Sequence, residues 1–148
     1  MAQASNYLEN KLIDHLVRSG TFAKPAALFV ALLTAAPTDA GGGTEVTGGG
    51  YARVALPPAD TNWTATQGGI SGASTGTSGA TSNAVVVTFP APTADWGTAA
   101  APVTHFGLYD AATAGNLLVF APLTTAREIL AGDPAARFQS GALQITVS

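Results

Sequence analysis

The sequence predicts a mainly β protein: an antiparallel, jelly-roll-like β-sandwich preceded by one N-terminal α-helix. Two observations carry this. Short apolar or alternating runs recur along the chain, separated by turn-forming residues among its 17 glycines and 9 prolines, the pattern of an all-β sandwich. Only one stretch, near the start, repeats its apolar residues at helical spacing.

The helix is predicted over Asn6 to Ser19. Leu8, Leu12 and Leu16, with neighbouring Ile13 and Val17, fall on one stripe. Asn6 and Glu9 have the spacing of a capping box, Asp14 and Arg18 form an i,i+4 pair, and Gly20 is the expected stop. A lone amphipathic helix must bury its stripe against its own sheet or against a neighbouring subunit.

Ala26 to Thr34 reads as a buried strand, bracketed by Pro25 and Pro37 at a strand-like length; a buried helix is the alternative for so short a continuous apolar run. Asp39 to Gly50 is too dense in glycine for regular structure. Tyr51 to Leu56 alternates and stops at Pro57-Pro58, as a half-buried strand does. Asp60 to Asn83 is a long Gly/Ser/Thr-rich loop around Trp63 and Ile70, with room for one short hairpin strand. Ala84 to Phe89 is a strand ended by Pro90. Thr104 to Tyr109 and Asn116 to Phe120 form a hairpin across Asp110 to Gly115. Ala126 to Leu130, the turn Gly132-Asp133-Pro134 and a last strand over Ala142 to Val147 complete the chain.

The length suits one domain over residues 1–148, with residues 1–20 as a helical segment and residues 60–83 as the long loop. No internal repeat of solenoid or propeller length is present.

Composition narrows the function. There is no cysteine, so disulfides, thiolate metal sites and cysteine nucleophiles are excluded together. Only 10% of residues are charged, well below the ~25% of ordinary domains, which suits a surface covered by neighbours or by tightly wrapped loops. The six basic residues are scattered singly, whereas nucleic-acid binding needs them clustered. The opening Met1-Ala2-Gln3-Ala4-Ser5 lacks a signal peptide's basic n-region. The longest apolar run, Pro25 to Ala36, falls short of the ~20 residues of a membrane span. The reading is therefore no nucleic acid and no membrane.

Groups that could do chemistry are few. His105 shares a strand with Asp110, but positions of opposite parity point to opposite faces, which argues against a dyad. His15 lies beside the helical stripe, where packing is the ordinary role. Asp39 and Glu45 flank a glycine loop without the alternating oxygen ligands of a calcium loop. The triplets Gly41-Gly42-Gly43 and Gly48-Gly49-Gly50 lead into a strand, not into the helix of a phosphate cradle. No Gly-x-Ser-x-Gly elbow occurs. The sequence thus predicts no enzyme, no catalytic residue, no metal and no cofactor. Trp63 and Trp96 lie in loops. Either is suited to anchoring a partner or a sugar ring, though Trp96 beside Gly97 better fits a packing role.

Several segments are similar to a family of small tailed-phage proteins labelled phage tail fibre protein or virion protein. They are Ser5-Asn6-Tyr7-Leu8-Glu9-Asn10-Lys11-Leu12-Ile13-Asp14-His15-Leu16, Leu28-Phe29-Val30-Ala31-Leu32-Leu33-Thr34-Ala35-Ala36-Pro37-Thr38-Asp39 and Gly49-Gly50-Tyr51-Ala52-Arg53-Val54. Ala94-Asp95-Trp96-Gly97, Val103-Thr104-His105-Phe106-Gly107-Leu108-Tyr109-Asp110 and Gly115-Asn116-Leu117-Leu118 continue the likeness. The chain departs from it in an insertion over Ala99 to Pro102 and an expanded Gly68 to Asn83, both in loops.

The resemblance implies a structural protein located in the virion and assembled in the cytoplasm of a bacterial host. Its partners would be further copies of itself and other virion proteins, the major capsid protein or tail proteins, with a host surface glycan as a further one. The chain lacks the heptads, β repeats and collagen-like triplets of a fibre shaft. That favours a capsid decoration (cement) protein over a tail fibre, receptor-binding or tail-attached adaptor component. A virion-borne carbohydrate-acting enzyme is the remotest reading. The expected assembly contacts are Tyr7, Leu8, Leu12 and Leu16 on the helix, Glu45 and Tyr51 around the glycine loop, and Trp63 and Ile70 in the long loop.

Overall fold

The computed structural model describes residues 2–147. It has the predicted class: antiparallel β layers with one N-terminal helix. The elements are β1 (Gln3–Ala4), α1 (Asn6–Val17), β2 (Phe29–Ala35), β3 (Thr44–Glu45), β4 (Val54–Ala55) and β5 (Ala80–Ser82). There follow β6 (Val87–Thr88), β7 (Val103–Tyr109), β8 (Leu117–Arg127), β9 (Arg137–Phe138) and β10 (Gln144–Thr146).

One layer is a six-stranded sheet in the order β1-β8-β7-β2-β3, with β4 also pairing β2. The facing layer is two separate ribbons, β5 with β10 and β6 with β9. Strands β2 and β7 sit in the middle. Val30 and Leu32 point toward the ribbons, and Ala31 joins Tyr109, Leu117 and Phe120 on the opposite face. Burial on both faces explains why β2 is a continuous apolar run rather than an alternating one. On the second face Gly107 lies under the Leu33 and Leu117 side chains; a Cβ there would lift them off the sheet.

The main core lies between the layers and includes Val87, Phe89, Trp96, Phe106, Ile129 and Leu143. Edge-to-face and stacked ring contacts run through it: Trp96 on Tyr51, Tyr51 on Phe89, Phe89 on Phe138, and Phe138 on Phe106, with centroids 5.3 to 6.2 Å apart. Such pairs add ~0.5–1.5 kcal/mol each beyond area burial.

Four predicted elements shift their boundaries. The helix cap is Ser5, not Asn6. The Ser5 Oγ accepts the Leu8 amide at 3.3 Å and donates to the Leu117 carbonyl, and the Ser5 amide donates to the Leu118 carbonyl. Pairing of β1 with β8 holds the preceding residues extended, so the helix turns in at Ser5. It ends at Val17, with Arg18 already extended. The predicted strands over Tyr51 to Leu56 and Ala84 to Phe89 contract to two paired residues each. By contrast, β8 runs on through Pro122. Its outer neighbour β1 pairs only as far as Phe120, so Pro122 occupies an edge, where a missing N–H is tolerated.

The long loop has internal order, supplied largely by hydroxyl and amide side chains. The Thr66 Oγ1 accepts the Gly76 amide at 2.9 Å, the Gln67 Oε1 accepts the Thr75 amide at 2.8 Å, and the Ser78 Oγ donates to the Thr66 carbonyl at 2.7 Å. Its strand, β5, pairs with the C-terminal β10 instead of forming a hairpin within the loop.

Candidate assembly surface

The helix meets the domain with the less apolar of its sides. Tyr7, Leu8, Lys11 and Asp14 are half-buried. Leu8 packs on the main core, and the Lys11 ammonium lies 5.7 Å from the centre of the Tyr7 ring. The rest of the apolar stripe faces outward instead: Leu12 is 37% exposed, Ile13 53%, Leu16 74% and Val17 78%. Glu9, three and four residues before Leu12 and Ile13, shares this outer face and is also exposed. No residue of α1 is buried. Of the two destinations open to the stripe, its own domain takes Leu8 and leaves the other four residues outward.

The remaining predicted contact residues fall in two places. Glu45 and Tyr51 are drawn into a half-buried polar cluster on the edge of β2. The Glu45 carboxylate takes a two-pronged ion pair from Arg53, Nε to Oε1 at 2.8 Å and Nη2 to Oε2 at 2.7 Å. The Tyr51 hydroxyl donates to Glu45 Oε1 at 3.0 Å and accepts the Leu32 amide at 2.9 Å. Arg53 Nη1 reaches the carbonyls of Ala111 and Ala114 at 2.8 and 2.7 Å. Its guanidinium carbon stands 3.6 Å from the centre of the Tyr109 ring. One arginine thus ties β3 to the β7–β8 turn.

Electrostatics follow this geometry. Burial raises the Tyr51 hydroxyl above the ordinary tyrosine range, and the Glu45 charge adds to the rise against the pull of the Leu32 amide and Arg53. Tyr109 is raised for the same first reason, burial, and then by Glu45. Burial lowers Arg53, but the Glu45 hydrogen bonds and charge outweigh that and leave it above its usual value.

Trp63 and Ile70 line one groove of about 580 Å³ with Lys24, Asp60 and the loop backbone. Ile70 is exposed, while Trp63 is half-buried and its Nε1 is shielded without a hydrogen-bond partner. Trp96 is buried, and its Nε1 donates to the Gly49 carbonyl at 2.9 Å. Gly49 has φ +54°, and a Cβ there would come within 3.0 Å of Ala94 atoms. The second glycine triplet is therefore partly a packing requirement as well as a loop.

His105 and Asp110 do not form a dyad. The His105 Nδ1 pairs with its neighbour Thr104 Oγ1 at 2.9 Å, and burial lowers its pKa. Asp110 closes the β7–β8 turn, accepting the Asn116 amide at 2.7 Å and its side-chain Nδ2 at 2.8 Å. Among the described residues, no three of His, Asp and Glu gather as a metal site would require, and no helix is long and apolar enough to cross a membrane.

This leaves an outward-turned apolar helix on a rigidly latched β domain. A family model described as "Podophage GP4 fiber I protein gp80" matches residues 3–146. The chain belongs to this family. A search of the curated proteins returns no match. The family match spans the helix, both layers and the long loop, so the outward helix face lies within the family's extent. The family is one of phage fibre proteins, which makes it a virion family.

Sequence reasoning missed three contributors. Arg53 has a weak signal, since Glu45, Tyr51 and Arg53 bracket a turn between two short strands. Arg127 and Arg137, which line one cleft with Leu32, Phe106 and Phe138, have none, because the nine residues of turn and irregular chain between them carry no pairing pattern. Nor does the sequence say which side of the helix faces the sheet.

Proposed function

We propose that this chain is a non-catalytic structural subunit of a tailed-phage fibre, a compact β module that works by docking onto its neighbours in the virion. The observation that carries this is the exposed Leu12, Ile13, Leu16 and Val17 face on a domain of the fibre family. An aliphatic face of this kind is stabilised by ~25 cal/mol per Å² once a partner removes it from water, and contiguous exposed apolar patches mark interaction sites. The cap welded to β8 through Ser5 holds the helix in place for such docking. Further copies of the chain and other virion proteins are the partners.

The compact outline also suits a subunit that decorates the head, the position favoured by the absence of shaft-like repeats. The family's description favours the fibre. Antibody fragments against this chain, imaged on intact virions, distinguish the two. Label on the tail apparatus is expected. Label spread over the head shell would move the subunit there, and virions without label would overturn a structural role altogether. Saturable hydrolysis of host polysaccharide by the purified chain, lost on His105→Gln, would overturn the non-catalytic reading.

A further inference from the structure

We infer that copies of this chain associate head to tail, the outer face of α1 in one copy docking into an arginine-bearing cleft between the sheet and the β6–β9 ribbon of the next. The cleft has a volume of about 360 Å³. Its floor is apolar, formed by Leu32, Val103, Phe106 and Phe138, and its walls include Arg127 and Arg137, both exposed. The ion pairs among the described residues are Asp14 with Arg18 and Glu45 with Arg53. Neither cleft arginine has a carboxylate partner there. Glu128 and Asp133 share an adjoining groove with both arginines but form no ion pair with them, and the Asp133 Oδ2 is occupied by the Leu130 amide at 2.8 Å.

The helix face is the complement of this cleft. It presents aliphatic side chains around one carboxylate, Glu9, and has no ion pair for it. A volume of this size admits a few aliphatic side chains and leaves the helix backbone outside. Burying Glu9 without a cation would be costly, and a paired arginine offsets that cost.

A two-fold pairing of one helix with another meets this requirement badly. It would press two Glu9 carboxylates into an apolar seam, while the helix's own cations are engaged elsewhere: Lys11 over Tyr7, and Arg18 with Asp14 at 3.1 Å. A contact between two different surfaces repeats from copy to copy, giving a ring if the rotation closes and an open filament if it does not.

The inference rests on the reading of the chain as an assembling subunit but is tested apart from its place in the virion. Sedimentation velocity of the full chain across a concentration series is expected to show species larger than a dimer. Leu16→Asp, and separately Arg127→Glu with Arg137→Glu, should each weaken self-association at least tenfold. Circular dichroism should be unchanged, since all three side chains are exposed. Mixed together, the two variants retain one intact face and one intact cleft, and should form a 1:1 dimer that grows no further. Adding Glu9→Arg to the double arginine variant should restore assembly. A cleft variant that assembles like the parent chain, with only the helix variant defective, would overturn the head-to-tail contact in favour of helix pairing. A parent chain monomeric throughout would overturn it outright. Neither outcome alters the virion-labelling result, which tests the fibre assignment separately.

Discussion

The Tyr51 hydroxyl accepts the Leu32 amide at 2.9 Å, where a neighbouring strand's carbonyl would normally stand. β4 pairs β2 at Phe29 and Val30, and β3 pairs it at Leu33 and Ala35. The amide in the gap between them is satisfied by a side chain. Buried amides are almost always paired, and here one phenol completes the edge of a central strand.

Removing that oxygen should be costly. Tyr51→Phe leaves the Leu32 amide and one Glu45 lone pair without a partner, for an expected loss of ~1–3 kcal/mol, read from urea unfolding at neutral pH. The variant should also change the alkaline limb. Tyr51 and Tyr109 both titrate higher in the folded state than in the unfolded one, so the unfolded chain loses its protons first. Their contribution is complete below about pH 10, the unfolded value, and is lost as pH rises toward the folded values. Stability of the parent chain should fall above pH 10, and Tyr51→Phe should fall less steeply. Equal slopes would show that Tyr51 does not carry the effect.

Arg53 fastens β3 to the β7–β8 turn. Arg53→Ala strands the half-buried Glu45 carboxylate and frees the Ala111 and Ala114 carbonyls, for an expected ~2–4 kcal/mol. Arg53→Lys should recover less than half of this, because an ammonium cannot match the two-pronged carboxylate contact while lying on the Tyr109 ring. Hydrogen exchange should speed up selectively at Asn116, in the β7–β8 turn. Uniform acceleration over the whole chain would contradict a local latch.

Gly49→Ala tests the second glycine triplet. Its left-handed φ and the contact with Ala94 both oppose a Cβ, and ~1–3 kcal/mol of destabilisation is expected. Gly48→Ala, at φ +72° with open space around it, should cost only the conformational part, about 1–2 kcal/mol. Equal thermal shifts for the two would remove the packing argument.

Asn83 is fully buried with its side chain satisfied. The Nδ2 donates to the Val85 and Gln139 carbonyls at 2.8 Å, and Oδ1 accepts the Leu143 amide at 2.8 Å. Asn83→Ala should cost ~2–4 kcal/mol and loosen the β5–β10 ribbon, seen as loss of amide protection at Ile145 and Val147. Asn83→Asp should be at least as damaging at neutral pH, since a carboxylate facing two carbonyls is repelled where an amide donates.

The sequence by itself determined the class of this protein. Gly and Pro punctuation, the buried run at Leu28 to Leu33, the hairpin around Asp110 to Gly115 and the single amphipathic helix are local signals, and each is present near its predicted place, although β8 runs on to Arg127 and takes in the start of the strand predicted over Ala126 to Leu130. Strand parity also separated His105 from Asp110 without any structure. Tertiary structure alone decided what those elements do. Periodicity defines an apolar stripe on α1 but not its direction; the direction is set by Ser5, which bonds to β8 112 residues away and turns Leu12, Leu16 and Val17 outward. Glu45 and Tyr51, neighbours of a glycine loop in the sequence, serve a strand edge because β3 and β4 leave a gap there. Arg127 and Arg137 reach one cleft only because β8 and the β6–β9 ribbon lie on opposite sides of it. Local pattern reports which residues seek burial or charge, and long-range pairing decides which of them are left for a partner.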